Sequence, residues 1–70
     1  FRMYPNPTHG QVVFVWSDGT NRAVTLHDAT GREVWSRTVR SGSSIDLSAF
    51  SPGTYTVRCA EGYQRLVIVQ

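Results

Sequence analysis

Apolar and polar residues alternate along most of this chain with a period of two. The alternation is interrupted about every eight to twelve residues by glycine, proline, aspartate or asparagine, the rhythm of short strands joined by turns. Val24 and Leu26 alternate with Thr25 and His27, while Tyr55, Val57 and Cys59 alternate with Thr54, Thr56 and Arg58. Ile45 and Leu47 alternate with Ser44 and Asp46 in the same way. Successive side chains of a strand point to opposite faces, so the apolar members of each set are assigned to a core and the others to solvent. Asp18-Gly19-Thr20-Asn21 closes the segment 11–16, and Asp28-Ala29-Thr30-Gly31 separates 22–27 from 32–39 as a hairpin with glycine at its left-handed position. Ser41-Gly42-Ser43 and Ser51-Pro52-Gly53 mark two more breaks, and Glu61-Gly62 joins 54–60 to 63–69 as a tight turn. Adding the short segments 2–4 and 44–47, the pattern predicts about seven short strands and no helix. The fold class is all-β, an immunoglobulin-like β-sandwich of antiparallel strands in two sheets, with a small closed barrel as the alternative.

Two segments break the alternation. Residues 11–16 and Leu66-Val67-Ile68-Val69 are apolar on both faces. In a two-layer fold one face of such a strand meets water, and an exposed apolar strip invites a partner. The last strand is the more telling case, because Arg65-Leu66-Val67-Ile68-Val69-Gln70 is read as an edge with nothing after it to cover it. Such an edge is an aggregation hazard, and it is also a docking element offering main-chain hydrogen bonds.

Length and composition narrow the picture further. Seventy residues make one small domain, able to hide only about 60% of the surface its unfolded chain exposes. The one cysteine, Cys59, has no internal disulfide partner and no zinc-type spacing around it. On the core face it reads as a buried thiol rather than a nucleophile. The longest apolar run, Leu66 to Val69, is a strand's worth and far short of a membrane-spanning helix. Because the chain opens at Phe1 and runs almost at once into a strand, residues 1–70 are read as the C-terminal domain of a larger exported protein whose signal peptide lies upstream. The net charge is +2 and every basic residue is arginine. These arginines are scattered over turns and strand edges, which reads as a solvated basic surface rather than a nucleic-acid site.

Candidate chemistry is sparse. His9 lies in the turn after Pro7, and His27 lies on an outward face beside Asp28, where a pairing with that acid is expected. Neither forms a nucleophile–base–acid arrangement. Phosphate-binding glycine loops and metal-ligand clusters are absent, so the domain is read as non-enzymatic and without cofactors.

Four pieces of the chain, taken in order, point elsewhere. They are Tyr4-Pro5-Asn6-Pro7 with Gly10, then Asp28-Ala29-Thr30-Gly31-Arg32, then Ser51-Pro52-Gly53-Thr54-Tyr55, and the terminal Arg65-Leu66-Val67-Ile68-Val69-Gln70. Together they resemble, over essentially the whole chain, the C-terminal sorting domain of the type IX secretion system of Bacteroidetes. The resemblance implies a folded secretion signal that takes its parent protein from the periplasm across the outer membrane to the cell surface or medium. It implies recognition by the outer-membrane translocon and its shuttle protein, then removal by a surface sortase-like peptidase. Attachment of the mature protein to a lipopolysaccharide anchor would follow.

In that reading Arg65, Leu66, Val67, Ile68, Val69 and Gln70 form the recognition element. Tyr4, Pro5, Asn6, Pro7, Gly10, Gly31, Arg32, Pro52, Gly53 and Tyr55 serve as scaffold. The prolines cannot sit in a central strand, so Pro5-Asn6-Pro7 is expected to be a rigid turn with Asn6 bonded to local backbone. Gly31 and Gly53 are expected at positions needing positive φ or close backbone approach, and Tyr55 is expected in the core with its hydroxyl at the rim. Tails of the resembled family often finish on lysine or arginine, whereas this one finishes on Gln70 and keeps a basic residue, Arg65, before the strand. An uncovered terminal edge also allows a strand-mediated homodimer. Two rival readings are an immunoglobulin-like adhesion or carbohydrate-binding module using Trp16, Trp35 and Tyr63 as stacking rings, and a small barrel binding single-stranded nucleic acid.

Overall fold

A computed structural model describes residues 1–60 and 62–69. It contains seven strands: β1 (Arg2–Tyr4), β2 (Gln11–Val15), β3 (Asn21–His27), β4 (Glu33–Arg40), β5 (Ser44–Asp46), β6 (Gly53–Cys59) and β7 (Gly62–Ile68). They form a three-stranded sheet in the order β1-β2-β5 and a four-stranded sheet in the order β4-β3-β6-β7. Every strand pairing is antiparallel. The two sheets do not pair with one another, so the structure is a sandwich consistent with the immunoglobulin-like kind, and the closed barrel is set aside.

The alternation read from the sequence sets the inner faces. Met3, Val12, Phe14 and Ile45 from the smaller sheet, with Trp16 just after β2 and Leu47 just after β5, meet Val24, Leu26, Val39, Tyr55, Val57, Leu66 and Ile68 from the larger. Tyr55 is buried, its ring meeting that of Phe50 edge-on at 6.1 Å, and its hydroxyl donates to the Ser51 carbonyl at 2.7 Å. Immunoglobulin-like sandwiches use a tyrosine in this way to pin the chain where it enters a strand. Cys59 lies on the same face at the end of β6 and is half-buried.

Strand β2 is central in its sheet, and its apolar character on both faces resolves into buried Val12 and Phe14 and half-buried Val13 and Val15. Its far end is clamped by Ser41: the Trp16 amide donates to Ser41 Oγ, and that hydroxyl donates to the Trp16 carbonyl, both at 3.0 Å.

Strand β4 forms one edge of the larger sheet and carries a charge on its core-facing side, since Arg37 stands opposite buried Val24 yet is exposed. An inward-directed charge at a sheet edge opposes pairing with another chain. The other edge of that sheet is β7, and it is guarded differently.

Candidate functional site

Strand β7 alternates as its register with β6 requires: buried Leu66 and Ile68 point to the core, while exposed Tyr63 and Arg65 and half-buried Val67 face outward. The main-chain groups of Val67 point away from β6, toward the edge that the sequence left open. That edge is occupied. The Asn6 side chain donates from Nδ2 to the Arg65 carbonyl at 2.7 Å, and its Oδ1 accepts from the Val67 amide at 3.0 Å. Two residues on, the Thr8 amide donates to the Val67 carbonyl at 2.9 Å, and Thr8 accepts from the Val69 amide at 2.8 Å.

Thr8 thus makes a parallel bridge to Ile68, and the Asn6 carboxamide stands in for a peptide group one step earlier along the same edge. The flanking prolines have no amide hydrogen to offer outward, so the added segment is a poor template for a further strand. Pro5-Asn6-Pro7-Thr8 is an edge guard. Both X-Pro bonds in it, Tyr4–Pro5 and Asn6–Pro7, are cis.

This corrects two expectations. Asn6 does not bond to local backbone: its partners lie 59 and 61 residues away. The terminal strand is also not uncovered, because the stretch from Arg65 to Val69 already has main-chain partners. The cause is the same in both cases. A short loop rich in proline cannot satisfy a carboxamide within itself, and the nearest unpaired peptide groups belong to the sheet edge beside it. Gln70, the last member of the expected recognition element, and Glu61 of the expected turn lie outside the described residues.

The guard is anchored from below by Thr8. This residue is 1% exposed, its hydroxyl donates to the Gln11 carbonyl at 2.6 Å and it accepts from the Gly10 amide at 3.0 Å. Gly10, at φ 136°, packs so closely on Ser48 that a Cβ there would lie 2.9 Å from Ser48 Cβ and 3.0 Å from its Cα. The Gly10 carbonyl also accepts from the Leu47 amide at 2.7 Å. A side chain at position 10 would lift the loop off β5 and carry Asn6 away from β7.

The other motifs of the resembled family fall at turns or at the strand entry that follows one. Gly31 has φ 88° in the β3–β4 hairpin, as expected. Gly53 does not fit its expectation: its φ is not positive, and a Cβ there would meet only the Tyr55 ring at 3.9 Å, an ordinary contact. It is simply the first residue of β6, opposite Ile68. Pro52 is exposed at the turn before it, and Arg32 is exposed beside Asp28.

One repeated device was not read from the sequence. Asp18 accepts at Oδ1 from the Thr20 amide (3.1 Å) and hydroxyl (2.8 Å), and its Oδ2 pairs with Arg22 at 2.7 Å. Asp28 accepts from the Thr30 amide (3.0 Å) and hydroxyl (2.6 Å) and from the Arg32 amide (3.1 Å), with the Arg32 guanidinium 3.3 Å away. Asp-x-Thr-x-Arg at 18–22 and again at 28–32 was visible as a repeat. Its chemistry holds the Asp18 carboxyl down at about 2, through the Arg22 hydrogen bond first and the Thr20 bonds after it. Asp28 is lowered as well, with the Thr30 hydroxyl the largest cause.

Asp28 is therefore already engaged, and the pairing expected between it and His27 does not form. His27 Nδ1 is buried without a hydrogen-bond partner.

The rings invoked for a glycan site do not gather. Trp16 is buried, with its indole N–H bonded to the Thr20 carbonyl; Trp35 is half-buried on the core-facing side of β4; Tyr63 is 71% exposed on the outer face of β7. Each instead sits under an arginine: Arg22 over Trp16 and Arg37 over Trp35, both at 5.5 Å, and Arg58 over Tyr63 at 5.9 Å. With Arg2 over Tyr4 at 6.0 Å, the basic residues are dispersed among separate aromatic partners rather than lined along one groove. Among the described residues no cluster of metal-ligating side chains occurs, and no helix is long and apolar enough to cross a membrane.

In comparison with known families, residues 2–70 match the family model described as the secretion system C-terminal sorting domain. No curated protein and no solved structure matches this chain.

Proposed function

The chain belongs to the family of type IX secretion C-terminal sorting domains, and from that membership we propose that it works as a folded export signal read through the outward side chains of β7. As a member of that family it serves export to the cell surface or medium. The observation that carries the finer reading is the double bonding of Asn6 to β7, which joins the first and last family motifs into one surface.

With the β7 edge closed from Arg65 to Val69, a partner strand cannot add there without displacing the guard. What remains accessible is the outer face: Tyr63, Arg65 and Val67 on β7, with Asn6 at its rim. Leu66 and Ile68 serve the same site from inside, since their burial fixes which residues of the strand face out. The Pro5–Thr8 guard keeps the signal from pairing with other strands during transit, so a homodimer through this edge is not favoured.

On this proposal residues 1–70 are carried by a larger exported protein that crosses the periplasm. The outer-membrane translocon and its shuttle protein bind the domain, and a surface sortase-like peptidase removes it. The domain is recognised and does not itself react, so it is not an enzyme and needs no cofactor.

The test is transfer of function. Residues 1–70 are fused behind a signal peptide and a fluorescent reporter, and expressed in a type IX-competent Bacteroidetes strain and in a translocon-null strain. Reporter at the surface or in the medium of the competent strain alone, shortened by the mass of the tail, is the expected result. Intact, folded fusion in the periplasm of both strains refutes the proposal.

A further inference from the structure

The outer face of the four-stranded sheet carries a polar cleft that the export reading does not use. It measures about 160 Å³ and is lined by His27, Gly31, Thr56 and Arg58. The register explains the convergence. His27 of β3 stands opposite Thr56 of β6, and Arg58 stands opposite Thr25, so imidazole, hydroxyl and guanidinium share one face of adjacent strands. Gly31 closes the cleft from the hairpin, and nothing lies within 4 Å of where its side chain would be, so the mouth is open there.

The lining groups have unspent bonding capacity. Arg58 lies over the Tyr63 ring at 5.9 Å and has no carboxylate partner among the described residues. Thr56 makes no side-chain hydrogen bond among those residues. His27 Nδ1 is buried and unpartnered, and the residue lines the cleft. The nearby acids are Glu33, opposite His27 on β4, and Asp28, which is engaged with Thr30 and Arg32. Arg65, opposite Thr56 on β7, adds a second exposed guanidinium at the cleft's flank.

We infer that this cleft binds a single carboxylate, the side chain of an aspartate or glutamate presented by a protein partner. A guanidinium held over an aromatic ring offers its donor fork at a fixed angle, matching the two oxygens of a carboxylate. The Thr56 hydroxyl and the His27 ring supply further donors. Charge favours the monoanion: Arg58 in the cleft and Arg65 at its flank, set against Glu33 close by, leave one net positive charge, a balance suited to one negative charge rather than to a phosphate dianion. The inference rests on the export reading, since it names the chemistry of a partner approaching the same face as Arg65 and Val67.

The experiment is a backbone NMR titration of residues 1–70 with an acetylated, amidated Ser-Glu-Glu-Ser peptide. The matching Ser-Gln-Gln-Ser peptide and inorganic phosphate are run at equal ionic strength. The expected result is saturable shifts at His27, Gly31, Thr56 and Arg58 with the glutamate peptide alone, and affinity lowered about tenfold or more in Arg58→Gln. Because Arg58 is exposed, this variant should keep the parent's spectrum, and His27→Ala gives a second reading from the opposite wall.

Equal response to the glutamine peptide overturns the inference. So do shifts centred on Arg22 or Arg40, saturation by phosphate but not by the peptide, or an unchanged Arg58→Gln. Reporter export measured on the unaltered domain separates the two levels. A failed titration with intact export removes only the cleft, whereas failed export removes the sorting reading itself.

Discussion

Replacing Thr8 by valine tests how the first family motif is tied to the last. The two side chains have nearly the same shape, so the exchange removes chemistry and not volume. The lost hydroxyl donates to the Gln11 carbonyl at 2.6 Å and accepts from the Gly10 amide at 3.0 Å, at a residue that is 1% exposed. Each such bond contributes about 1 kcal/mol net, and a buried amide left without a partner costs about 1–3 kcal/mol. A buried methyl in place of the hydroxyl returns roughly 0.8 kcal/mol.

The sum is a loss of about 2–3 kcal/mol, which for a domain of this size lowers Tm by roughly 10–20 °C. Thr8→Ser is the control, because it keeps both bonds and gives up one methyl, a loss of roughly 1 kcal/mol. Thermal and urea denaturation followed by circular dichroism measure both variants. A Thr8→Val protein as stable as Thr8→Ser would refute the claim that the buried hydroxyl anchors the guard.

Three further outcomes follow from the same geometry. Asn6→Asp keeps an acceptor for the Val67 amide but sets a carboxylate oxygen against the Arg65 carbonyl; hydrogen exchange at Val67 and Val69 should quicken more than in Asn6→Ala, and equal rates would count against the paired carboxamide. Gly10→Ala places a Cβ 2.9 Å from Ser48 Cβ at φ 136°, so it should destabilise by about 1–3 kcal/mol; an unchanged urea midpoint would contradict the close approach. The Asp18 carboxyl, lowered from 3.8 to about 2, favours the folded state at pH above 3.8 and loses that contribution as pH falls toward 2. Asp18→Asn should flatten stability between those values, and an unaltered pH profile would show that the Arg22 and Thr20 bonds do not hold the carboxyl down.

What the sequence disclosed follows from where the information lies. Alternation is local, so the inner positions of β3, β5 and β6 could be read directly, and Val24, Leu26, Ile45, Tyr55 and Val57 are all buried. Turn chemistry is local too, and Gly31 takes the left-handed conformation its hairpin needs. The guard could not be read this way. Pro5-Asn6-Pro7 announces a segment unable to join a central strand, but nothing within it tells which distant edge supplies the partners of Asn6. Terminal Leu66-Val67-Ile68-Val69 likewise looks like a free edge until the chain's opening segment is laid beside it. His27 was assigned to its face correctly and to its partner wrongly, because the Asp28 carboxylate is taken by Thr30 and Arg32 within its own turn. The repeated Asp-x-Thr-x-Arg spacing carried that information.

The placement of the core inside β7 also decides how the export reading is best probed. Deleting 65–70 removes Leu66 and Ile68 from the core and is expected to unfold the domain, so it cannot separate recognition from folding. Arg65 and Val67 face outward, and exchanges there should leave stability within about 0.5–1 kcal/mol. The decisive measurement is the exported fraction of a reporter carrying Arg65→Ala with Val67→Thr, against the unaltered tail, with the folded state of both checked by circular dichroism. Export of the unaltered tail and retention of the folded double variant is the result this account predicts. Equal export of the two would contradict the claim that the outward face of the terminal strand is what the export machinery reads.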